Sequence, residues 1–458
     1  MTTPKFKAKV DAINAALDKR PPFCTGVTPL GNNGALFYRK GDDGDAGYLD
    51  FASVTEDKLE ALSAACAPAS FGYGKETVFD ESYRKAGKLD TNRFSSMLDI
   101  DSSGIAKHVS NELLEGQNSR RTLRFELYKL NVYDKDSFFK PHKDTPRAEN
   151  MFGSLVITFP TPHTGGALVL RHQGEQWVVD SSSILSKQSE PSICFIAFYS
   201  DVEHEVQPLQ SGHRVTLTYN LFVETNFKYS RFPPLPTVAI DRSAPDHLVL
   251  RASLSDLLQD KSVLPQGGVL AFGLRFKYPL IPDKTDLQQI IHVLKGSDAT
   301  IKDVAHSLSL KVVPQILITD GTESVDVMFP VAVDWTGEQV ESWATELAGD
   351  PSKEGFVVHE VGKPPLTHLA GYHIKDVIWV TPQTTFTRYK SAFICGSEDA
   401  YGNEAGFEFV YGEMCLAVMV GPPKHRETLD EIPQWNGLWD RSGFRSDSEI
   451  DDSADVDA

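Results

Sequence analysis

Short apolar runs with a period of two occupy the chain from about Arg121 to Phe222. Turn residues separate these runs about every 8 to 15 positions, and Gly165-Gly166 supplies one such turn. The pattern is typical of antiparallel sandwiches and barrels, and jelly-roll folds fit it. It constrains the fold strongly, because a helix cannot bury side chains that alternate one by one. The runs are Leu123 to Tyr133, Gly153 to Phe159, Ala167 to Leu170, Trp177 to Asp180, Ile193 to Tyr199, and Val215 to Phe222.

The flanking regions make the predicted fold class α+β. Residues 1–120 are expected to form helices and loops that pack on the β-rich core, with apolar residues at helical spacing from about 4 to 20 and again after Thr55. The segment from Phe71 to Lys85 has no strong period. We expect it to be a surface loop that flanks the site.

The second half of the chain predicts a separate region. A proline-rich linker at 227–236 follows the core domain, which we place at residues 121–226. Residues 237–440 contain both β-like runs and helix-like runs, and one helix-like run lies at 337–348. A mixed α/β domain of unknown role is therefore expected. An α+β domain and a decayed second β-sandwich both stay open. The acidic tail at 446–458 has almost nothing to bury and is predicted to be disordered.

Charge and cysteine usage narrow the partners and the compartment. A formal net charge of -18 opposes binding to a phosphate backbone, so a nucleic-acid partner is not expected. The five cysteines are scattered and form no Cys-x-x-Cys pair, which argues against disulfides and thiolate zinc sites. The polar amino terminus and the lack of a long apolar run predict no secretory signal and no membrane span. An intracellular protein, cytoplasmic or nuclear, is therefore expected.

A histidine and an aspartate stand two positions apart at His142 and Asp144. On an extended backbone both side chains point to the same face, which suits a shared metal. About 60 residues further on, His204 follows a strand and a turn. Two imidazoles and one carboxylate make the facial triad that holds iron(II) and leaves other positions open. The alternative is that these are ordinary polar residues at strand ends.

About ten residues after His204 stands Arg214, with an alternating strand behind it. The order and spacing of these residues and strands resemble the catalytic domain of 2-oxoglutarate- and Fe(II)-dependent dioxygenases, in the branch of the prolyl 4-hydroxylases. The resemblance implies a double-stranded β-helix and an oxidoreductase. It also implies that His142, Asp144 and His204 are the metal ligands and that they act in catalysis together with Arg214.

The resemblance also implies a co-substrate site. Arg214 would bind the far carboxylate of 2-oxoglutarate, Tyr133 would share that carboxylate, and Thr216 could add a hydroxyl from the same strand face. Arginine suits this task because its planar fork binds a carboxylate through two hydrogen bonds. The implied cofactors and co-substrates are Fe(II), 2-oxoglutarate and O2, with ascorbate as an optional addition. A surface pairing of Arg214 with Glu203 or Glu205 is the alternative.

The implied reaction hydroxylates a C–H bond of a protein, in the prolyl manner, or of a small molecule, with release of succinate and CO2. A cleft lined by Lys143, Arg147, Tyr83 and Arg84 would favour an acidic or peptide-like substrate. Two other functions stay open at this point. One is a non-catalytic interaction protein that retains the dioxygenase fold, and the other is a metal enzyme that uses no keto acid. Some two-domain relatives carry a second, metal-free double-stranded β-helix, which the last half could resemble.

Overall fold

The computed structural model describes residues 4–17, 20–41, 45–73, 76–114, 121–225, 245–281, 285–320, 325–331, 355–369, 372–381, 383, 401–403, 410–412 and 414–428. Three predictions fall outside these residues: the proline-rich linker, the helix at 337–348 and the acidic tail. Within the described part of the chain, no helix has both the length and the apolar character needed to cross a membrane.

The first 114 residues form more β-structure than the sequence predicted. Helices α1 and α2 occupy the two segments where helical spacing was found, although the Thr55 side chain makes no capping hydrogen bond. The expected loop from Phe71 to Lys85 instead contains three short strands. Helices here are α1 Pro4–Ala16, α2 Glu56–Ala65 and α3 Ile105–Leu113. Strands are β1 Phe23–Pro29, β2 Ala35–Arg39, β3 Ala46–Asp50, β4 Ala67–Pro68, β5 Phe71–Tyr73, β6 Glu76–Val78, β7 Arg84–Lys85, β8 Gly87–Asp90 and β9 Phe94–Ser96.

Residues 121–225 fold into strands at all six predicted runs. The strands are β10 Arg121–Tyr133, β11 Phe138–His142, β12 Met151–Thr158, β13 His163–Gly165, β14 Leu168–His172, β15 Glu175–Val179, β16 Ser192–Tyr199, β17 Glu203–Val206, β18 Leu209–Gly212 and β19 Arg214–Thr225. One short helix, α4 Ser181–Leu185, interrupts them, and its N-cap Asp180 accepts a hydrogen bond from the Ser183 backbone N–H.

Two sheets carry the site. The larger has seven strands in the order β1-β16-β12-β19-β10-β8-β4, and the smaller has five in the order β15-β14-β17-β11-β7. Strands from the first 120 residues therefore complete both sheets. A bulge at Tyr128 shifts the register of β10, and beyond it Leu130 and Val132 point into one core. The intervening residues Lys129 and Asn131 point to the opposite face, which lines a cavity.

The second half contains a closed barrel of six strands, in the order β20-β25-β24-β23-β22-β28. The pairs β20/β25 and β24/β25 are parallel, so this unit is not a simple antiparallel sandwich. The elements are α5 Pro245–Gln259, β20 Gly268–Gly273, β21 Tyr278–Leu280, a 3-10 helix Leu287–His292, α6 Gly296–Ser307, β22 Val312–Asp320, β23 Val325–Phe329, β24 Phe356–Glu360, a 3-10 helix Thr367–Leu369, β25 Ile374–Trp379, β26 Tyr401–Gly402, β27 Val410–Gly412 and β28 Cys415–Val420.

One hydrophobic cluster contains buried residues of both halves, from Ile13 to Val420, and a second, smaller cluster lies among the barrel strands. A buried ion pair also crosses the boundary, with Lys295 Nζ 2.9 Å from Asp201 Oδ1. Next to it, Asp298 is fully buried and accepts a hydrogen bond of 2.8 Å from the Tyr278 hydroxyl. Burial raises the pKa of Asp298 from 3.8 to about 7.

This raised pKa predicts how stability depends on pH. Between pH 3.8 and about 7 the native state keeps a proton that the unfolded chain has lost, so the free energy of unfolding falls as pH rises. Asp298→Asn should therefore gain stability relative to the wild type across this window, by up to about 1.4 kcal/mol per pH unit. Urea unfolding at several pH values measures the difference in the free energy of unfolding between variant and wild type. The surface substitution Asp256→Asn is the control. A difference that does not change with pH would contradict the prediction.

Candidate metal and co-substrate site

The structure brings His142, Asp144 and His204 together. His142 ends β11 and lies directly opposite His204 of β17, so strand pairing places both imidazoles on one face with ring centroids 4.2 Å apart. Asp144 follows two residues beyond the strand end. One ligand atom from each residue lies within 4.8 Å of the other two, and all three residues are buried. Within the described residues, this is the one His, Cys, Asp and Glu cluster with that geometry.

Hydrogen bonds orient both imidazoles. His142 Nδ1 lies 2.8 Å from the Lys140 carbonyl oxygen, and His204 Nδ1 lies 3.1 Å from the Val202 carbonyl oxygen. A carbonyl can only accept, so each Nδ1 carries the proton and each Nε2 keeps its lone pair for a metal. Burial lowers the pKa of His142 well below 6.5, and the neighbouring His204 lowers it further. His142 is therefore the neutral imidazole that a metal ligand must be.

Both oxygens of the third candidate ligand accept hydrogen bonds. The Ser154 hydroxyl donates to Asp144 Oδ2, and the side-chain amide of Asn403 donates to Asp144 Oδ1 at 2.6 Å. Asp144 Oδ1 also lies 3.8 Å from His204 Nε2, so this oxygen faces the centre of the cluster. Two neutral imidazoles and one hydrogen-bonded carboxylate match the donor set of a non-haem Fe(II) facial triad. The residues present therefore fit the metal.

Arg214 occupies the far end of the same cavity. It begins β19, pairs across the sheet with Tyr133 at the end of β10, and is 1% exposed. Its guanidinium carbon lies 5.5 Å from the centroid of the Tyr133 ring, and burial lowers its pKa from 12.5. Two of its nitrogens, Nε and Nη2, have no hydrogen-bond partner. No acidic side chain in the described part of the chain pairs with it.

The surface pairing considered for Arg214 is not formed. Arg171 takes both acids instead, with Nη2 2.7 Å from Glu205 Oε1 and Nη1 3.7 Å from Glu203 Oε1. Arg214 points inward, and Thr216, two residues later on the same face of β19, joins it in the cavity wall. Burying an arginine without a counterion destabilises the folded protein, because the charge loses its hydration. Such an arginine is expected where an anionic ligand completes the site.

The cavity lies between the two sheets. It encloses about 510 Å³ when the open solvent at its mouth is included. Its wall contains the metal cluster and all three candidate co-substrate residues. The lining residues are Arg84, Tyr128, Lys129, Asn131, Tyr133, Phe139, His142, Asp144, Ser154, Val156, Leu168, Phe198, His204, Val206, Arg214, Thr216, Thr218 and Asn403.

Of the four residues suggested for a substrate cleft, one lines this cavity. Arg84 lines the cavity, but Tyr83, Lys143 and Arg147 are not part of its wall. The Tyr83 hydroxyl donates to the Pro141 carbonyl, and the Arg147 guanidinium stacks on Tyr128 at 4.3 Å.

Arg84 is nearly as buried as Arg214. Its Nη2 donates to Asn131 Oδ1 at 3.0 Å, and its guanidinium carbon lies 4.3 Å from the Phe139 ring centroid. The Nε atom has no partner, and no acid in the described residues pairs with this arginine.

Sequence reasoning missed Ser154, Asn131, Thr218 and Asn403. The first three are polar residues at cavity-facing positions of otherwise apolar strands. The available signal was a polar residue at a position where the strand period predicts an inward-facing apolar one. Nothing in the sequence around Asn403 marks it as a site residue. It is separated from Asp144 by 259 positions.

The comparisons with known proteins agree with this geometry. Residues 128–222 match the family model of the 2OG-Fe(II) oxygenase superfamily, and this segment contains all six candidate site residues. A search of curated proteins finds no match.

Three solved structures illustrate the likeness. An oxidoreductase of the 2OG-Fe(II) oxygenase family from Burkholderia pseudomallei is 17% identical, over 36% of this chain and 77% of its own, with a TM-score of 0.22. A Pseudomonas putida prolyl-4-hydroxylase is 16% identical over 48% and 100%, with a TM-score of 0.24. A Trichoplax adhaerens prolyl hydroxylase, in complex with a hypoxia inducible factor peptide fragment, is 15% identical over 48% and 94%, with a TM-score of 0.26.

The superfamily resemblance inferred from the sequence is confirmed, as is the expectation of an oxidoreductase. Over residues 128–222, this chain matches the 2OG-Fe(II) oxygenase superfamily.

Proposed function

We propose that this protein is an Fe(II)- and 2-oxoglutarate-dependent dioxygenase of the prolyl 4-hydroxylase-like branch, with its site on a double-stranded β-helix. The observation that carries the proposal is Arg214. Its guanidinium is buried, lacks an acidic partner in the described residues, and lines the same cavity as the His142, Asp144 and His204 cluster. A metal triad facing an uncompensated buried cation fits a ligand with an anionic group at each end.

In this proposal each residue has one task. His142, Asp144 and His204 would hold Fe(II), and Arg214 would bind the far carboxylate of 2-oxoglutarate, with the hydroxyls of Tyr133 and Thr216 beside it. Bound Fe(II) would supply the activation of O2, so that 2-oxoglutarate, O2 and a C–H bond give succinate, CO2 and a C–OH group. Because the site is buried, water is largely excluded and the Arg214 charge acts at low dielectric.

The direct test is 2-oxoglutarate turnover by the full-length protein. With Fe(II), O2 and 2-oxoglutarate labelled at C1, we expect slow release of labelled CO2 and an equimolar amount of succinate without added substrate. A metal chelator should abolish the formation of both products. A faster rate on addition of a cell extract would then lead to the substrate. If the protein neither forms succinate nor binds Mn(II) in place of Fe(II), the non-catalytic interaction protein becomes the better function. Activity without 2-oxoglutarate would favour the enzyme that uses no keto acid.

The cavity also favours one class of substrate. Three cationic side chains line it, Arg84, Lys129 and Arg214, whereas Asp144 is the one acid in its wall and is assigned to the metal. With Arg214 assigned to 2-oxoglutarate, Arg84 remains as a second buried arginine of the same cavity, with an unpartnered Nε. We therefore propose a substrate, protein or small molecule, that carries an acidic group near the hydroxylated carbon.

Arg84→Gln tests this substrate class. The variant is expected to raise KM for the hydroxylated substrate by about tenfold or more, because it removes a buried charge-assisted contact. The corresponding constant for the keto acid should change little, since Arg214 is assigned to that ligand. Succinate formation driven by anion-exchange fractions of an extract measures both constants, and Lys85→Gln on the same strand is the control. A neutral substrate that both proteins use equally well would contradict the prediction.

A further inference from the structure

We propose that the second half of the chain is part of the metal site. Asn403 and Tyr411 act as positioning residues for Asp144, and Tyr411 also joins the loop of Asp144 to the turn that precedes His204. The inference rests on the proposed function, because it assumes that Asp144 and His204 bind a metal. It assigns a role to the region that lies beyond the family match at residues 128–222.

Asn403 holds the carboxylate of Asp144 from outside the oxygenase domain. Its position is fixed by two backbone contacts: β26 pairs with β5, and Gly402 forms a parallel bridge with Lys143. Asn403 Oδ1 accepts a hydrogen bond of 3.0 Å from the Thr145 backbone N–H, and Asn403 Nδ2 donates to Asp144 Oδ1 at 2.6 Å.

These two hydrogen bonds allow one orientation of the amide. A backbone N–H can only donate, so the oxygen of Asn403 must face Thr145 and the NH2 group must face Asp144. The NH2 group therefore points at Asp144 Oδ1, the oxygen that lies 3.8 Å from His204 Nε2, and fixes the direction of the carboxylate. Because Asn403 is 7% exposed and lines the cavity, water cannot easily replace this donor.

Tyr411 connects the loop of Asp144 to the turn that precedes His204. Its hydroxyl lies 2.6 Å from the Asp144 carbonyl oxygen and 2.6 Å from the Ser200 carbonyl oxygen. Ser200 begins the turn that leads to His204, four residues later. A single half-buried tyrosine therefore sets the spacing between the loop of Asp144 and the turn before His204.

The same turn is anchored a second time to the second half. Lys295 Nζ donates to the Ser200 hydroxyl at 3.2 Å and to Asp201 Oδ1 at 2.9 Å, and the Lys277 backbone N–H donates to Asp201 Oδ2 at 2.9 Å. The side chains of Ser200, Asp201 and Lys295 are fully or nearly fully buried. The loop of Asp144 and the turn before His204 are thus both held by groups from the second half of the chain.

The simpler interpretation is that these contacts merely pack two halves together. It predicts that their loss lowers stability and leaves the metal affinity of the folded protein unchanged. Partners that hydrogen-bond a ligand carboxylate typically change metal affinity by about 10- to 100-fold, whereas packing contacts elsewhere do not. Metal affinity of the folded protein therefore separates the two interpretations.

The experiment measures Mn(II) binding to full-length protein by electron paramagnetic resonance, and the visible absorption of the Co(II)-loaded protein. Asn403→Ala is expected to weaken Mn(II) binding by about 10- to 100-fold and to change the Co(II) bands. Tyr411→Phe, which removes one hydroxyl, is expected to weaken binding by a smaller factor of about three to ten. Asn14→Ala is the control, because the Asn14 amide donates to the Val380 carbonyl and so joins the halves away from the site.

Three results have distinct meanings. Weaker binding in Asn403→Ala and Tyr411→Phe, with unchanged binding in Asn14→Ala, supports the inference. Wild-type affinity in both site variants overturns it, and if Asn403→Ala does not fold, Tyr411→Phe decides alone. A wild-type protein that binds no Mn(II) overturns the proposed function itself, whereas normal wild-type binding with unaffected variants overturns this inference only.

Discussion

His142→Ala is expected to abolish 2-oxoglutarate-dependent succinate formation, with a loss of about 10³-fold or more. The variant keeps two of three ligands, so the metal is bound weakly and the reaction loses the several kcal/mol that a bound metal supplies. His142 also fixes the geometry, since its imidazole lies directly across the strand pair from His204. The measurement is succinate released by wild type and variant at equal concentration with excess Fe(II).

A loss of activity is informative only if the fold survives. The His142 ring stacks on Phe139 at 3.5 Å, so its removal leaves a small cavity as well as an incomplete metal site. Circular dichroism and the melting temperature of the metal-free variant therefore accompany the assay. His108→Ala, an exposed histidine whose ring contacts Phe195, is the matched control and should keep full activity. Undiminished succinate formation in folded His142→Ala would refute the metal assignment.

The sequence located the candidate site because its residues sit on regular strands. Strand period places His142 on the face that later meets His204, and the same period puts Arg214 and Thr216 on one side of β19. These facts depend on neighbours a few positions away. Asp144 was expected on that face as a strand residue, yet it lies just beyond the end of β11. Its side chain still joins the cluster, because the loop that follows is held by partners.

Those partners were beyond sequence reasoning. The contact between Asn403 and Asp144 depends on how β26 pairs with β5, and no local pattern encodes a pairing between segments so far apart. The same reason explains the first 120 residues, where β1 and β8 are too short or too rich in turn-forming residues to predict. They become strands because the edges of the large sheet offer unpaired backbone groups. Long-range pairing, rather than local propensity, decided these elements.

The closed barrel in the second half could not be predicted for the same reason. The sequence predicted β-like runs in this half, but neither the order of the barrel strands nor the parallel pairs of β25 follow from alternation. The sequence therefore left the fold of this half open. Its role was also left open, since the groups that reach the site come from between the barrel strands.

Arg214→Ala is expected to weaken 2-oxoglutarate binding by about 100-fold or more. The change removes a buried, charge-assisted contact to a carboxylate, and losses of about 2–5 kcal/mol are typical of such pairs, or about 30- to several thousand-fold. Arg214→Lys should fall between, because an ammonium keeps the charge and loses the two-pronged geometry. Binding to the Mn(II)-loaded protein is measured by calorimetry. Arg171→Ala, which breaks the partly exposed pairings with Glu203 and Glu205 outside the cavity, is the control.

A second ligand makes this test specific to the far carboxylate. 2-Oxopentanoate has the same keto-acid end and chain length as 2-oxoglutarate but ends in a methyl group. The wild type should prefer 2-oxoglutarate by about 100-fold or more, since 2-oxopentanoate would leave the Arg214 guanidinium buried without an anion. In Arg214→Ala this preference should nearly disappear, because the alanine offers the carboxylate nothing. A variant that still prefers 2-oxoglutarate as strongly as the wild type would show that another residue binds the carboxylate, and Arg84, the other buried arginine of the cavity, would then be the next residue to replace.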